Sequence, residues 1–141
     1  MSSYAAACYL QVERRTVPGE TAEMVEAEIE EILARLRRKD PDFSAMVTMG
    51  IVRNPFEVSE DEEIVRLLRD TAAEVRGEPP NLIGKAGWAD SALLSEAGIP
   101  TAYFGPAGFG AHGAEEWVDI DSLEAFSRIL ARTAYQFCGD D

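Results

Sequence analysis

The sequence predicts a mixed α/β protein built in two pieces, residues 1–55 and residues 56–141. Its 141 residues are 46% hydrophobic and 28% charged, a composition that supplies a core and excludes wholesale disorder. The first piece carries a strand pattern, a helix pattern and a second strand pattern, whereas the second piece is mainly helical with one short apolar strand. Arg53-Asn54-Pro55 interrupts the pattern between the two pieces.

The first piece begins with a strand predicted over 7–13, where apolar and aromatic residues occupy alternate positions until the charges start. A turn at Pro18-Gly19 follows, and then a helix predicted over 21–38, with acidic residues at its start and basic residues at its end, as the helix dipole favours. A second strand is predicted over 44–52. We expect the helix to pack on its own strand pair through one apolar face, formed by Val25, Ile29, Ile32 and Leu36.

The second piece opens with a helix predicted over 60–76. Ser59 and Glu62 have the spacing of a capping box at its start, and Gly77 is placed to end it. The apolar positions within this helix recur at helical spacing, so one side of it is expected to face a core.

Three shorter elements complete the second piece. A short helix over 90–97 is predicted with Asp90 as its cap, and a buried strand over 101–104 follows it. The last helix is predicted over 121–138, with Asp121 as its cap.

The charge balance limits the partners of the chain. Lysine and arginine number 13 against 26 aspartates and glutamates, and this net charge of −13 excludes nucleic acid and anionic membranes, because phosphate groups attract the opposite sign. No segment approaches the ~20 apolar residues of a membrane span, and the N-terminus lacks the basic start of a signal peptide. We therefore expect a soluble, cytoplasmic protein.

The two cysteines, Cys8 and Cys138, have neither metal-binding nor redox spacing. This favours buried thiols in a reducing compartment and leaves one disulfide as the alternative.

The glycine-rich segment 105–113 holds the single histidine, His112, which is followed by Glu115 and Glu116. An imidazole beside carboxylates is able to ligate zinc, act as a base or hydrogen-bond a loop, and the pattern alone favours a structural role. A catalytic zinc usually takes three protein ligands and more than one histidine. The chain therefore lacks the residues for a histidine-rich metal site of its own.

Arg14 and Arg15 lie at the end of the first predicted strand, where adjacent side chains point to opposite faces. One of them could fork onto a carboxylate while the other meets solvent. The spacing alone favours two solvated charges on an edge strand.

Four motifs occur in order along residues 8–139, and together they carry a family resemblance. They are Glu13-Arg14-Arg15-Thr16-Val17-Pro18-Gly19-Glu20, Gly87-Trp88-Ala89-Asp90-Ser91-Ala92-Leu93-Leu94, Gly98-Ile99-Pro100-Thr101 with Phe104-Gly105-Pro106, and His112-Gly113-Ala114-Glu115-Glu116-Trp117-Val118. They resemble motifs of the metallopeptidase family that includes acetylornithine deacetylase, succinyl-diaminopimelate desuccinylase, aminoacylase and glutamate carboxypeptidase. The first motif resembles a strand and turn of that family's lid, or dimerisation, domain.

The resemblance implies a function and a set of site residues. Family members cleave an amide bond of N-acyl amino acids or small peptides with two zinc ions and a glutamate base. By the matching motifs, His112 is the last metal ligand, Arg15 binds a substrate carboxylate, and Gly105 lines the substrate cleft with its backbone. Asp90 and Glu116 match positions that support the site rather than react.

The departures from the family pattern imply a partial enzyme. Nothing in the chain corresponds to the family's His-x-Asp ligand motif, its bridging aspartate or its Glu-Glu pair, and the first strand and helix of the lid are missing before Ala7. Ala89 replaces a hydroxyl residue, and Glu13 replaces an aspartate. The resemblance thus implies a partial lid over 1–55 and the C-terminal portion of a catalytic domain over 56–141.

Two functional hypotheses follow from this partial match. In the first, the chain is the distal part of the enzyme and is inactive alone. It supplies at most one zinc ligand, so it needs a complementing N-terminal half or a homodimer. In the second, the chain is a non-catalytic remnant that acts as a dimerisation or binding module. Both predict exposed apolar surface or unpaired strand edges, where the rest of the family's fold would pack.

Overall fold

The computed structural model describes residues 5–139. Contacts divide the chain into two compact units, one ending at Pro55 and the other beginning at Phe56. The described residues form four helices and one two-stranded sheet, a mixed secondary structure that is compatible with the predicted α/β class. The elements are α1 (Ala22–Lys39), α2 (Glu63–Arg76), α3 (Ser91–Glu96), β1 (Gly108–Phe109), β2 (Trp117–Val118) and α4 (Ile120–Cys138).

Helix α1 of the first unit lies where the sequence predicted it. Thr21 caps its start by accepting a hydrogen bond from the Met24 amide, and a run of basic residues fills its last turn. Its apolar face is only partly covered. Val25 is 7% exposed, whereas Ile32 and Leu36 are 46% and 38% exposed, so the prediction that the whole face packs against a strand pair was wrong for these two side chains.

The three strands predicted over 7–13, 44–52 and 101–104 are not strands in the structure. A strand is completed by hydrogen bonds to a neighbouring chain segment, and within residues 5–139 these segments have no ladder partner. Along 43–50, half-buried and exposed residues still alternate one by one. The burial of these residues therefore follows the two-residue period that predicted a strand. The hydrogen-bonded pairing that defines a strand is absent from the described residues.

The core of the second unit lies between α2 and α4, which pack against each other. It is formed by Val65, Thr71, Ala72, Ile129 and Thr133. Thr71 Oγ1 donates a hydrogen bond to Gln136 Oε1 over 3.2 Å, and Arg132 forms an ion pair with Glu74 across the same interface. Thr133 Oγ1 is buried here, and no hydrogen-bond partner for it is found among the described residues.

The start of α2 differs from the prediction. The helix begins at Glu63 rather than at residue 60, because Ser59 does not cap it. Ser59 Oγ instead accepts a hydrogen bond from the Asp61 amide over 3.2 Å, which forms a turn just before the helix. The predicted end is confirmed, since Gly77 caps α2 in the left-handed conformation with a φ of 86°.

The start of α4 was also assigned to the wrong residue. The cap is Asp119 rather than Asp121, and its Oδ1 accepts a hydrogen bond from the Ser122 amide over 2.7 Å. Asp121 lies inside the first turn, where its charge still favours the helix dipole. Asp119 and Asp121 are two positions apart, and the sequence alone does not indicate which of them is the cap and which lies in the first turn.

Exposed apolar surface, which the sequence analysis expected, is confirmed. Tyr9 is 99% exposed, and ten or more other large hydrophobic side chains are at least half exposed, among them Leu10, Met46, Ile51 and Ile83. Cys8 and Cys138 are free and exposed, so the expectation of buried thiols was wrong. None of the helices formed by residues 5–139 combines the length and the apolar character needed to cross a bilayer.

Candidate functional site

A short β-hairpin presents the single histidine. Strands β1 and β2 pair in antiparallel register, Gly108 opposite Val118 and Phe109 opposite Trp117, and the loop between them is residues 110–116. Two glycines make the close approach of the strands feasible. A Cβ on Gly108 would lie 2.6 Å from the Trp117 carbonyl oxygen, and one on Gly110, whose φ is +79°, would lie 1.9 Å from that of Glu115.

His112 lies in this loop in a left-handed conformation with a φ of 65°, and its side chain is exposed. No other non-glycine residue in the described part of the chain has a positive φ. A hydrogen bond from the Gly113 amide to the Gly110 carbonyl, 2.7 Å long, closes the loop around it. The segment 101–104, which precedes this loop along the chain, was predicted as a strand and is not one in the structure. Strained backbone of this kind is concentrated at functional sites.

His112 and the described residues around it do not by themselves form a zinc site. Within residues 5–139 there is no group of three or more histidine, cysteine, aspartate or glutamate side chains placed to hold a metal ion. His112 therefore offers one imidazole, and the described residues do not gather a three-ligand group around it.

Gly105 lies in the segment that joins the end of α3 to the hairpin, beside the start of α4. Ser122 Oγ accepts a hydrogen bond from the Ala107 amide over 3.0 Å, and the Asp119 amide donates to the Ala107 carbonyl over 2.9 Å. These bonds fix one wall of an open groove of about 350 Å³, which Gly105 also lines. A Cβ on Gly105 would touch nothing within 4 Å, so the backbone here is accessible from the groove.

Asp90 and Glu116 are both exposed. Asp90 occupies the cap position of α3, but its side chain makes no capping hydrogen bond, so the prediction of a side-chain cap was wrong. Its carbonyl oxygen instead accepts from the amides of Leu93 and Leu94 over 3.0 and 3.2 Å. Glu116 directly precedes β2, so it shares the hairpin with His112.

Arg15 belongs to the first unit, whereas the other four predicted site residues belong to the second unit. Its side chain is 74% exposed, and its Nε donates to Glu13 Oε1 over 3.1 Å. The two partners of this ion pair are two residues apart along the chain.

Arg14 has an ordered environment, whereas the spacing alone had favoured a solvated charge. Its guanidinium donates to Glu20 Oε1 over 2.8 Å and to Glu28 Oε2 over 2.6 Å. These hydrogen bonds, that to Glu28 first, raise the pKa of Arg14 above its ordinary value. The pKa of Glu20 is lowered, mainly by the hydrogen bond from the Val17 amide and then by Arg14. In the sequence, the one feature that could have indicated these ion pairs is the glutamate directly after the Pro-Gly turn.

Comparison with known proteins defines the class to which these features belong. The chain is 28% identical to an N-formyl-4-amino-5-aminomethyl-2-methylpyrimidine deformylase from Halalkalibacterium halodurans, over 93% of the chain and 34% of that protein. It is 26% identical to an acetylornithine deacetylase from Buchnera aphidicola subsp. Schizaphis graminum, over 94% of the chain and 33% of that protein. It is 30% identical to a succinyl-diaminopimelate desuccinylase from Magnetococcus marinus, over 79% of the chain and 28% of that protein.

The names of these relatives describe hydrolases that remove a formyl, acetyl or succinyl group. Residues 8–136 match the sequence profile of peptidase family M20/M25/M40, and the chain belongs to that family. The resemblance that the four motifs indicated is thus confirmed. The chain spans about a third of the length of the curated relatives it matches. No solved structure matches the chain significantly.

Proposed function

We propose that this chain is the distal part of a zinc-dependent amidohydrolase, which cleaves an amide bond of an N-acyl amino acid or small peptide. The observation that carries the proposal is the family match over residues 8–136 together with coverage of only about a third of each relative. Residues up to 55 are the partial lid, and residues from 56 onward are the end of the catalytic domain. The complete enzyme works in the cytoplasm, as a single copy or as a homodimer.

Each site residue has one role in this proposal. Arg15 binds the substrate carboxylate, for which an exposed and permanently charged guanidinium is suited. Gly105 lets the substrate approach the backbone along the groove beside α4. His112 contributes one imidazole toward zinc, which in the complete family enzyme supplies an activated water. Glu116 in the hairpin and Asp90 at the start of α3 have supporting or structural roles, and neither takes part in bond breaking.

The chain alone does not hydrolyse amides in this proposal, because its described residues offer one exposed imidazole and no assembled metal site. An N-terminal portion of the polypeptide, or a separate complementing chain, provides the remaining ligands and the glutamate base. Without them one imidazole binds zinc weakly, since the ion gains a single ligand and keeps most of its water.

The test is reconstitution. The chain is mixed with the segment of the Halalkalibacterium halodurans deformylase that lies outside the matched 34%, and zinc binding is followed by calorimetry. Hydrolysis is assayed on N-acetylornithine, N-succinyl-diaminopimelate and the N-formyl aminopyrimidine. We expect no activity from either part alone, activity from the mixture, and loss of that activity with His112→Ala.

Two results would contradict the proposal. Tight zinc binding or amide hydrolysis by the chain alone would show a complete site within it. An inactive mixture, together with self-association of the chain at micromolar concentration, would favour the alternative of a non-catalytic dimerisation or binding module. The exposed apolar side chains of the first unit would then form the contact surface.

A further inference from the structure

Two aromatic rings on the hairpin that carries His112 are open to solvent. Phe109 is 72% exposed and Trp117 is 58% exposed. The rings stack with their centroids 6.3 Å apart, so the stack covers one face of each ring and leaves the outer face accessible. Large aromatic side chains usually contribute to a core or to an interface, and the described residues leave this pair uncovered. The pair is therefore a surface on which a ligand is able to bind.

The hairpin lies in a stretch of the sequence whose charged groups are all acidic. Between Lys85 and Arg128 there is no lysine or arginine. This stretch contains seven carboxylates, which belong to Asp90, Glu96, Glu115, Glu116, Asp119, Asp121 and Glu124.

Two of these carboxylates are close to the aromatic pair whichever way their side chains point. Glu115 and Glu116 are exposed and lie within two residues of Trp117, so their Cα atoms are at most about 7 Å from its Cα. The Debye length at physiological ionic strength is about 8 Å, so their charges are only partly screened at the indole. They add a negative potential at the rings, which attracts a cation.

The two basic residues that flank the acidic stretch are both engaged by other groups. Arg128 Nη2 forms an ion pair with Glu124 Oε1 over 2.6 Å. Lys85 Nζ lies 4.2 Å from the centroid of the Tyr103 ring and donates a hydrogen bond to the Tyr103 hydroxyl. The chain thus already contains one ammonium group on the face of an exposed aromatic ring, the contact that a free cation would make with the hairpin.

We propose that Phe109 and Trp117, together with Glu115 and Glu116, bind a small alkylammonium ion on the open faces of the two rings. The face of an aromatic ring attracts a cation, and indole does so most strongly among the side chains. The alkyl groups of such an ion cover apolar ring surface, while its charge is attracted by the carboxylates. A neutral apolar molecule would gain only the first contribution, and an anion would be repelled. This site is independent of the proposed amide hydrolysis and of any zinc ligation by His112.

The first test titrates the full 141-residue chain with choline chloride at constant ionic strength and follows the indole N–H of Trp117 by NMR. We expect a saturable shift with a dissociation constant of about 1–10 mM, as a few exposed contacts of this kind give. The neutral analogue of choline, in which carbon replaces the ammonium nitrogen, should bind at least about threefold more weakly. The indole N–H of Trp88, which lies outside the hairpin, is the internal control and should not follow the titration.

The second test uses variants and follows the Phe109 amide. Trp117→Leu removes the better ring and should raise the dissociation constant of choline by about threefold or more. A double Glu115→Gln, Glu116→Gln variant keeps both rings and should raise it by about threefold.

The matched control is a double Glu62→Gln, Glu63→Gln variant, which changes the net charge by the same amount at the start of α2. That end is about 20 Å along the helix from Arg76, which lines the groove with Asp119 beside the hairpin. Because this distance exceeds the Debye length, the control should leave choline binding unchanged.

Several results would overturn the proposal. They are the absence of a saturable Trp117 shift, an equal shift at Trp88, and equal affinity for the neutral analogue, which would indicate an apolar site only. Equal effects of the two glutamate pairs would remove the local role of the hairpin carboxylates. If Trp117→Leu opens the hairpin, seen as lost protection of the Val118 amide, the comparison of the two glutamate pairs decides, since those variants leave both rings in place.

Discussion

Phe109 and Trp117 stack across the two strands of the hairpin, with ring centroids 6.3 Å apart and ring planes inclined by 30°. They are directly opposite residues in the antiparallel register, and both are largely exposed. Since each strand is only two residues long, the backbone ladder is short and this aromatic pair is a main contact between the strands. The position of the His112 loop depends on these two rings and on the glycines beside them.

The first prediction concerns Gly110. Gly110→Ala should open the hairpin, because the new Cβ would lie 1.9 Å from the Glu115 carbonyl oxygen at a positive φ. We expect a loss of about 1–3 kcal/mol in hairpin stability. It is measured as faster amide exchange of Phe109 and Val118. Gly105→Ala is the matched control, since its Cβ would meet nothing within 4 Å, and it should leave exchange unchanged. Equal effects of the two substitutions would contradict the hairpin geometry.

The second prediction concerns the core between α2 and α4. Ile129 is 1% exposed, so Ile129→Ala should remove packing and leave a cavity. A destabilisation of about 2–5 kcal/mol is expected from comparable core truncations. Leu130→Ala, at the next position on α4 and more than half exposed, should cost less than about 1 kcal/mol. Thermal unfolding followed by circular dichroism separates the two. If Ile129→Ala lowered stability less than Leu130→Ala, the assignment of the buried face of α4 would be wrong.

The third prediction is a pH dependence at the turn before α1. The folded pKa of Glu20 lies below its ordinary value of 4.5, mainly because the Val17 amide and then Arg14 bind the charged form. A lowered folded pKa means that its stabilising contribution is present above the unfolded pKa and is lost as pH falls through the folded pKa. Protection of the Val17 amide should therefore fall on acidification from about pH 7 to pH 3. In Glu20→Gln the protection at this amide should be nearly independent of pH. If protection of the Val17 amide in the natural sequence did not change with pH, the link between the charge of Glu20 and the stability of the turn would be refuted.

The fourth prediction separates strain from function at His112. Because His112 has a φ of 65°, His112→Gly should stabilise the loop by about 1 kcal/mol. His112→Ala should leave folding almost unchanged, since the side chain is exposed and alanine keeps the same strain. Both variants should lose hydrolysis in the reconstituted enzyme. Retained activity in His112→Gly would exclude the imidazole as a metal ligand.

The sequence predicted helices better than it predicted their ends. The periodicity of α1, α2 and α4 is local, because it comes from apolar residues three and four positions apart, and it placed all three. Helix caps depend on which of several nearby polar groups reaches an amide. Asp119 was therefore missed in favour of Asp121, and Ser59 was assigned to a helix that starts at Glu63.

Strands and site contacts were harder to predict, because both depend on residues that are distant in sequence. The segment 44–52 has the alternation of a strand, yet within residues 5–139 it has no ladder partner. Arg14 was interpreted as a solvated charge, since nothing in its immediate neighbours showed that Glu28 would lie beside it. The candidate site residues come from the family motifs and stay predictions, because local patterns alone favoured a structural role for His112.

The hydroxyl of Thr133 is inside the helix pair without a hydrogen-bond partner among the described residues. Valine has nearly the same shape and no polar atom, so the desolvation penalty of about 1–3 kcal/mol would disappear with Thr133→Val. The present interface is thus less stable than its own geometry allows. Position 133 is therefore where a more heat-resistant version of the chain would be engineered first.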